Sequence, residues 1–125
     1  MIIHYLIINF IIFFIFLKVM EDIASNLLDI FTKNQNPAFN RAEYKIRFQL
    51  ADIYINVKGE FDQGIKYLID ADQQSDRLGQ NMEESEKKEL TYEVIANITN
   101  QYFENGKSEY VREWIKKQVK IQLIM

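Results

Sequence analysis

The 125-residue chain has no cysteine, which excludes disulfides, thiolate zinc sites and cysteine nucleophiles. Its one histidine, His4, lies inside an apolar run. A histidine metal cluster and a Ser-His-Asp triad are therefore excluded as well. Four glycines and one proline are too few for a turn-rich all-β fold and favour helices. No stretch alternates with period two for long enough to make a strand. Positive charge is not in excess, since the net charge is −3, and a nucleic-acid partner needs a basic face. The segment GEFDQG lacks the Lys and the Ser/Thr of a phosphate-binding loop. Asp70, Asp72 and Asp76 resemble a cation loop only superficially. Ser75 and Asn81 stand where such a loop needs Gly and Glu. No catalytic residue, metal or cofactor is expected, and the chain does not read as an enzyme.

What is present is unevenly distributed. The length suits one domain. Apolar residues are 48% of the chain, and seventeen of the first twenty are apolar, interrupted only by His4, Asn9 and Lys18. As a helix, residues 1–17 rise about 26 Å at ~1.5 Å each, the lower limit for crossing a hydrocarbon core of ~30 Å. A signal peptide fits poorly, because no cation precedes the run and no small-x-small cleavage pattern follows. Three readings stay open: a membrane anchor through residues 1–17, a translated stretch upstream of a true start at Met20, or a helix packed into a larger assembly. Localisation follows the choice: intracellular and membrane-anchored, or cytoplasmic from Met20. The chain divides into residues 1–20, a short helix and linker over 21–40, and a helical domain over 41–125.

The soluble part reads as successive amphipathic helices. Residues 21–33 place Ile23, Leu27, Ile30 and Phe31 at helical spacing, and Asn34 to Pro37 ends them. Asn40 and Glu43 form a capping-box pattern for a helix over 41–57, whose stripe is Tyr44, Phe48, Ala51 and Ile55, widened by Ile46, Leu50, Ile53, Tyr54 and Val57. Gly59 stops it. A helix over 61–78 carries Ile65, Leu68, Ile69 and Ala71 and ends at Gly79. After the polar stretch 80–88, a long helix ends near Asn105, with Leu90, Val94, Ile95, Ile98, Tyr102 and Phe103 apolar. Glu83, Glu84, Glu86 and Glu89 suit its positive N-terminal end. Gly106 stops it. Ser108 is a good N-cap for a last helix over 109–124, in which Val111, Ile115 and Val119 are expected to face the preceding one.

Two of these stretches repeat. Residues 50–71 align with 98–118, and Gly59 and Gly106 lie 47 positions apart. In the first copy Leu50-Ala51, Tyr54, Gly59, Gly64, Leu68 and Ala71 form an order of apolar-small pair, aromatic, turn glycine, small, apolar and small. In the second, Ile98-Thr99, Tyr102, Gly106, Val111, Ile115 and Gln118 follow it more loosely. This pattern resembles the tetratricopeptide-repeat family in a degenerate, long-helix form, over roughly residues 42–121. Tyr54 to Gly59 is one residue too long for the family, which implies a lengthened turn. Val111 and Gln118 replace small residues, and the offset exceeds the usual ~34 residues. The resemblance implies an all-α fold of antiparallel helix pairs forming a short α-solenoid behind an N-terminal hydrophobic helix. Ala51 and Gly64 would meet at the closest approach of one pair.

The resemblance also implies a partner surface, lined by the first helix of each pair. It would hold Lys45, Phe48 and Asp52 from one repeat and Glu93, Asn97, Asn100 and Glu104 from the other. Asp52 and Glu93 would repel a terminal carboxylate, so a carboxylate clamp is not expected. The function implied is a non-catalytic protein–protein interaction or scaffold module for proteins or peptides. The alternative is a structural subunit buried in a large assembly of ciliary, proteasomal or mitochondrial type. Two repeats leave an uncapped end, and stacked repeats need caps or partners. Trp114, Ile121, Leu123 and Ile124 cannot all share the inner stripe with Val111, Ile115 and Val119, so some of them must point outwards. Those that do are expected to form an outward apolar patch rimmed by Lys116, Lys117 and Lys120, through which the C-terminal helix self-associates.

Overall fold

In the computed structural model, which describes the backbone of residues 1–124 and side chains up to Leu123, the chain is all-helical. The elements are α1 (Ile2–Asn34), α2 (Asn40–Asp52), α3 (Phe61–Gln73), α4 (Ser75–Leu78), α5 (Glu84–Glu104) and α6 (Ser108–Ile124). A 3-10 turn, Pro37–Phe39, leads into α2, and a π-helical turn, Ile53–Val57, extends it. There is no strand among the described residues.

α1 is one unbroken helix of 33 residues, about 50 Å long. No helix breaker stands near Met20, and Lys18 pairs with Asp22 across the junction at 3.3 Å. Its two parts differ in company. Residues 1–20 are exposed apart from the half-buried Leu17. Beyond them Glu21 and Ala24 are buried, and Leu28 and Phe31 pack beside Ala24 against Ile46 and Leu50 of α2. Of the stripe read from the sequence, Phe31 packs, while Ile23, Leu27 and Ile30 face solvent. The docked face is the one with small Ala24, which lets the backbones approach, and with Glu21, which finds partners on α2. Gln35 then takes a left-handed conformation and ends the helix with its N–H on the Phe31 carbonyl, 2.9 Å away.

α2 is the central element. One face, Tyr44, Ala51 and Ile55, joins Ile65, Leu68 and Ala71 of α3, Leu78 of α4, and Val94, Ile98 and Tyr102 of α5 in the main core. The other face meets α1. α3 packs on both α2 and α5, and α6 packs on α5. Gly64 sits where α3 crosses α2. A β-carbon there would lie 3.0 Å from the Ala51 carbonyl oxygen and 2.5 Å from a side-chain carbon of Ile55, so the expected close approach of Ala51 and Gly64 is present.

The two repeat glycines behave alike. Gly59 and Gly106 have φ of +70° and +72°, the left-handed region that glycine enters without penalty. At Gly106 the Lys107 N–H reaches the Tyr102 carbonyl and the Gly106 N–H the Phe103 carbonyl, a Schellman ending. At Gly59 the ending is one residue wider, with the Glu60 N–H on the Tyr54 carbonyl at 2.8 Å. The surplus residue between Tyr54 and Gly59 is taken up by the π-turn.

Several expectations are corrected. Asn40 and Glu43 do not form a capping box; α2 begins without a side-chain cap. Both are buried and bind Arg77 instead. The 61–78 helix breaks at Gln74. Gly79 has ordinary φ, and its missing side chain leaves room for the Lys87 stem, 2.7 Å from where a β-carbon would stand. Phe103 is exposed rather than packed. On α6 the inward residues are Val111 and Trp114, packed against the core, and Gln118, which donates to the Tyr92 hydroxyl at 3.1 Å. Ile115 and Val119 point outwards. The indole at 114 fills more of the gap beside α5 than Ile115 would, and so fixes the rotation of α6.

Candidate functional site: the groove between α2 and α5

Because α3 underlies both α2 and α5, those two helices leave a groove between them. Its walls are helical ladders. α2 presents Arg41, Lys45, Phe48, Gln49 and Asp52, and α5 presents Glu86, Glu89, Leu90, Glu93, Asn97 and Gln101. The floor includes Tyr44 and Ala51. Phe48 lies at the middle, shared by two clefts of about 260 and 340 Å³. Each is large enough to receive a partner side chain. An ion pair between Arg41 and Glu86 bridges one end. Carboxylates outnumber cations four to two along the walls. The Tyr44 hydroxyl is pushed up to about 12, first by burial and then by Asp72 and Glu43 nearby, so it stays a neutral donor.

Of the residues expected from the sequence, Lys45, Phe48, Asp52, Glu93 and Asn97 come together in this groove. Asn100 and Glu104 lie further along α5, exposed and outside the two clefts. Trp114 is far from the groove in sequence and is half-buried against the core, with the Lys117 ammonium 4.2 Å above its ring. It is a packing residue more than a surface anchor. Leu123 is 83% exposed. The side chain of Ile124 lies outside the described residues. Arg41, Gln49, Glu89, Leu90 and Gln101 were missed, although each stands three or four positions from a chosen residue; Glu86 lies two turns before Glu93. Extending the ladders by one turn would have found the first five.

Two charged clusters hold the groove's backing in place. Glu43 is 1% exposed. It accepts from Arg47 Nε at 3.1 Å and from both terminal nitrogens of Arg77 at 3.2 and 2.7 Å. Gln74 accepts from Arg77 at 2.6 Å, and Asn40 donates to the Arg77 carbonyl at 3.1 Å. This network ties α4 to α2. The second cluster ties α1 to the end of α2. Glu21 accepts from the Tyr54 hydroxyl and from Lys58, both at 2.8 Å. The bond from Lys58 holds the Glu21 carboxyl below its ordinary value, against the opposing effect of burial. The same carboxylate raises the Tyr54 phenol and the Lys58 ammonium.

The acidic residues of α3 and α4 do not converge. Asp72 faces Lys117 of α6 at 4.0 Å and is raised by burial, while Asp76 faces Lys87 at 3.3 Å. No known family model, no curated protein and no solved structure matches the chain.

Proposed function

We propose that this chain is a membrane-anchored, non-catalytic interaction module of tetratricopeptide-like type, in which α2/α3 and α5/α6 are the antiparallel pairs. Its groove between α2 and α5 takes an extended or helical segment of a partner protein. The observation that supports this reading is the convergence of Lys45, Phe48, Asp52, Glu93 and Asn97 on one groove. The surplus of wall carboxylates disfavours a terminal carboxylate and favours an apolar residue flanked by lysines or arginines. Phe48 and Leu90 would receive the apolar residue, and Glu89, Glu93 and Asp52 the cations. α1 supports the anchor, since it is long and apolar enough to cross a membrane, with a mean hydropathy of 2.4 over its best window and none of that window buried.

The test places a photo-crosslinking amino acid at position 48 of the full chain in its native membranes, with position 66 on the exposed face of α3 as control. A discrete adduct at 48, absent at 66 and lost when Glu89 and Glu93 are changed to Lys, supports the reading. Identical adducts at both positions overturn it. A second reading, a structural subunit of a large assembly, is favoured by one observation. Ile115, Val119 and Leu123 form an exposed apolar stripe at four-residue spacing on α6, and such stripes are uncommon on surfaces that stay in water.

A further inference from the structure

The part of α1 that stands clear of the domain is shorter than the apolar run it carries. Contacts along α1 descend in order. Phe31 stacks on Phe39 at 5.2 Å, Ala24 and Leu28 meet Ile46 and Leu50, and Glu21 meets Tyr54 and Lys58. Finally Phe14, Leu17 and Lys18 share a cleft of about 400 Å³ with Ile53, Val57, Lys58 and Glu60. The domain therefore ends level with residues 14–18, and only residues 2–13 project past it. They rise about 18 Å, against a hydrocarbon core of about 30 Å. Phe14 and Leu17 must enter the apolar layer for the run to come near to crossing it, and the neighbouring end of the domain then travels with them.

That end is formed by two turns, residues 58–60 and 105–107. They lie together because the Phe61 ring is 5.4 Å from that of Tyr102 and the Lys107 ammonium is 5.3 Å from Phe61. Val57, Tyr110 and Phe103 keep much of their surface exposed at this end, Phe103 most at 71%, with the Tyr110 ring 5.1 Å from that of Tyr102. Lys58 and Lys107 arch over the rings of Tyr54 and Phe61, and aromatic residues with lysines whose stems lie on apolar surface are what a membrane interface accommodates. Glu60 and Glu104 occupy the same end, so apolar contact rather than net charge supplies the attraction. Resting on the anchor reading above, we propose that this turn end is seated in the headgroup layer of the bilayer, and that a zwitterionic phosphatidylcholine surface is sufficient to hold it.

The absence of native cysteine makes the test direct. Single nitroxide labels are placed on the full chain at Phe103→Cys and Val57→Cys in the seated end. Controls are Ser85→Cys at the other end of α5 and Phe10→Cys in the apolar run. The labelled chains are reconstituted in phosphatidylcholine vesicles. Collision with oxygen and with a water-soluble nickel chelate is compared by paramagnetic resonance. Labels at 103 and 57 should favour oxygen over nickel several-fold more than the label at 85, with the label at 10 favouring oxygen most. If the label at 10 is in lipid while those at 103 and 57 match 85, the seating is wrong and the anchor stands. If the label at 10 is open to nickel, the anchor and the seating both fall. Tyr110→Cys gives an independent third position should either substitution disturb the helix content seen by circular dichroism.

Discussion

Glu43 has almost no water around it and answers two guanidinium groups at once. Removing one member of a buried, hydrogen-bonded ion cluster leaves the others unpaired, which costs about 3–5 kcal/mol. Glu43→Leu is expected to lower the unfolding free energy extrapolated from urea titration by that amount, more than Arg77→Leu, because the Arg77 side chain keeps partial access to water. The sequence showed Glu43 three positions after Asn40 and suggested a cap. The partner that claims both residues is 34 positions from Glu43 and 37 from Asn40, beyond the reach of any local pattern. Gly64 is the opposite case, since a small residue in a repeat pattern states its own steric reason. Gly64→Leu should overpack the α2–α3 crossing and cost about 1–3 kcal/mol in thermal or urea unfolding. Glu21 gives a pH signature. Its folded value is lowered, so its contribution is complete above the ordinary carboxyl value of 4.5 and is lost as pH falls through the lower folded value. Hydrogen exchange over residues 21–30 should therefore quicken relative to the core below that pH, and Glu21→Gln should quicken it at neutral pH and flatten the dependence.

Elements were legible where the chain punctuates itself. Gly59 and Gly106 mark two helix ends by the same left-handed turn, and the odd spacing from Tyr54 to Gly59 announced an irregularity that proves to be a π-turn. Which face of a helix turns inward was less legible. On α1 and α6 two apolar stripes compete, and the choice depends on the shape offered by the neighbour. Ala24 and Glu21 decide α1, and Trp114 decides α6. Both helices keep their other stripe in solvent: Ile23, Leu27 and Ile30 on α1, and Ile115, Val119 and Leu123 on α6. The sequence placed self-association around Leu123 and Ile124; we propose that it runs through this α6 stripe instead. Val119→Asp with Leu123→Asp should leave stability within about 0.5 kcal/mol, as surface changes do, and should convert an associating chain to a monomer in analytical ultracentrifugation. If the double substitution melts the protein instead, the stripe is packed and not an interface.

For the whole molecule, composition gave the helical class, and five of the residues named from the sequence line one groove. The long-range frame was not readable in the same way, because α1 passes Met20 without a break and contributes Glu21, Ala24, Leu28 and Phe31 to the domain. A division at residue 40 would remove these four and strip one face of α2, exposing Ile46, Leu50 and the Tyr54 hydroxyl. Covering two large apolar side chains such as Leu28 and Phe31 contributes about 1.5–3 kcal/mol for each when burial is complete, and somewhat less here, where both keep partial exposure. Losing the clasp between Glu21, Tyr54 and Lys58 adds to that. A chain of residues 20–125 should therefore fold with its core intact and remain in solution after membranes are sedimented. Full-length protein should resist carbonate extraction. A chain of residues 41–125 should be less stable than 20–125 by several kcal/mol, of a size comparable to the whole stability of a small domain, and should bind a hydrophobic dye. Equal urea midpoints for the two truncated chains would mean that α1 beyond Met20 lies on the domain without holding it, and that the domain begins at α2.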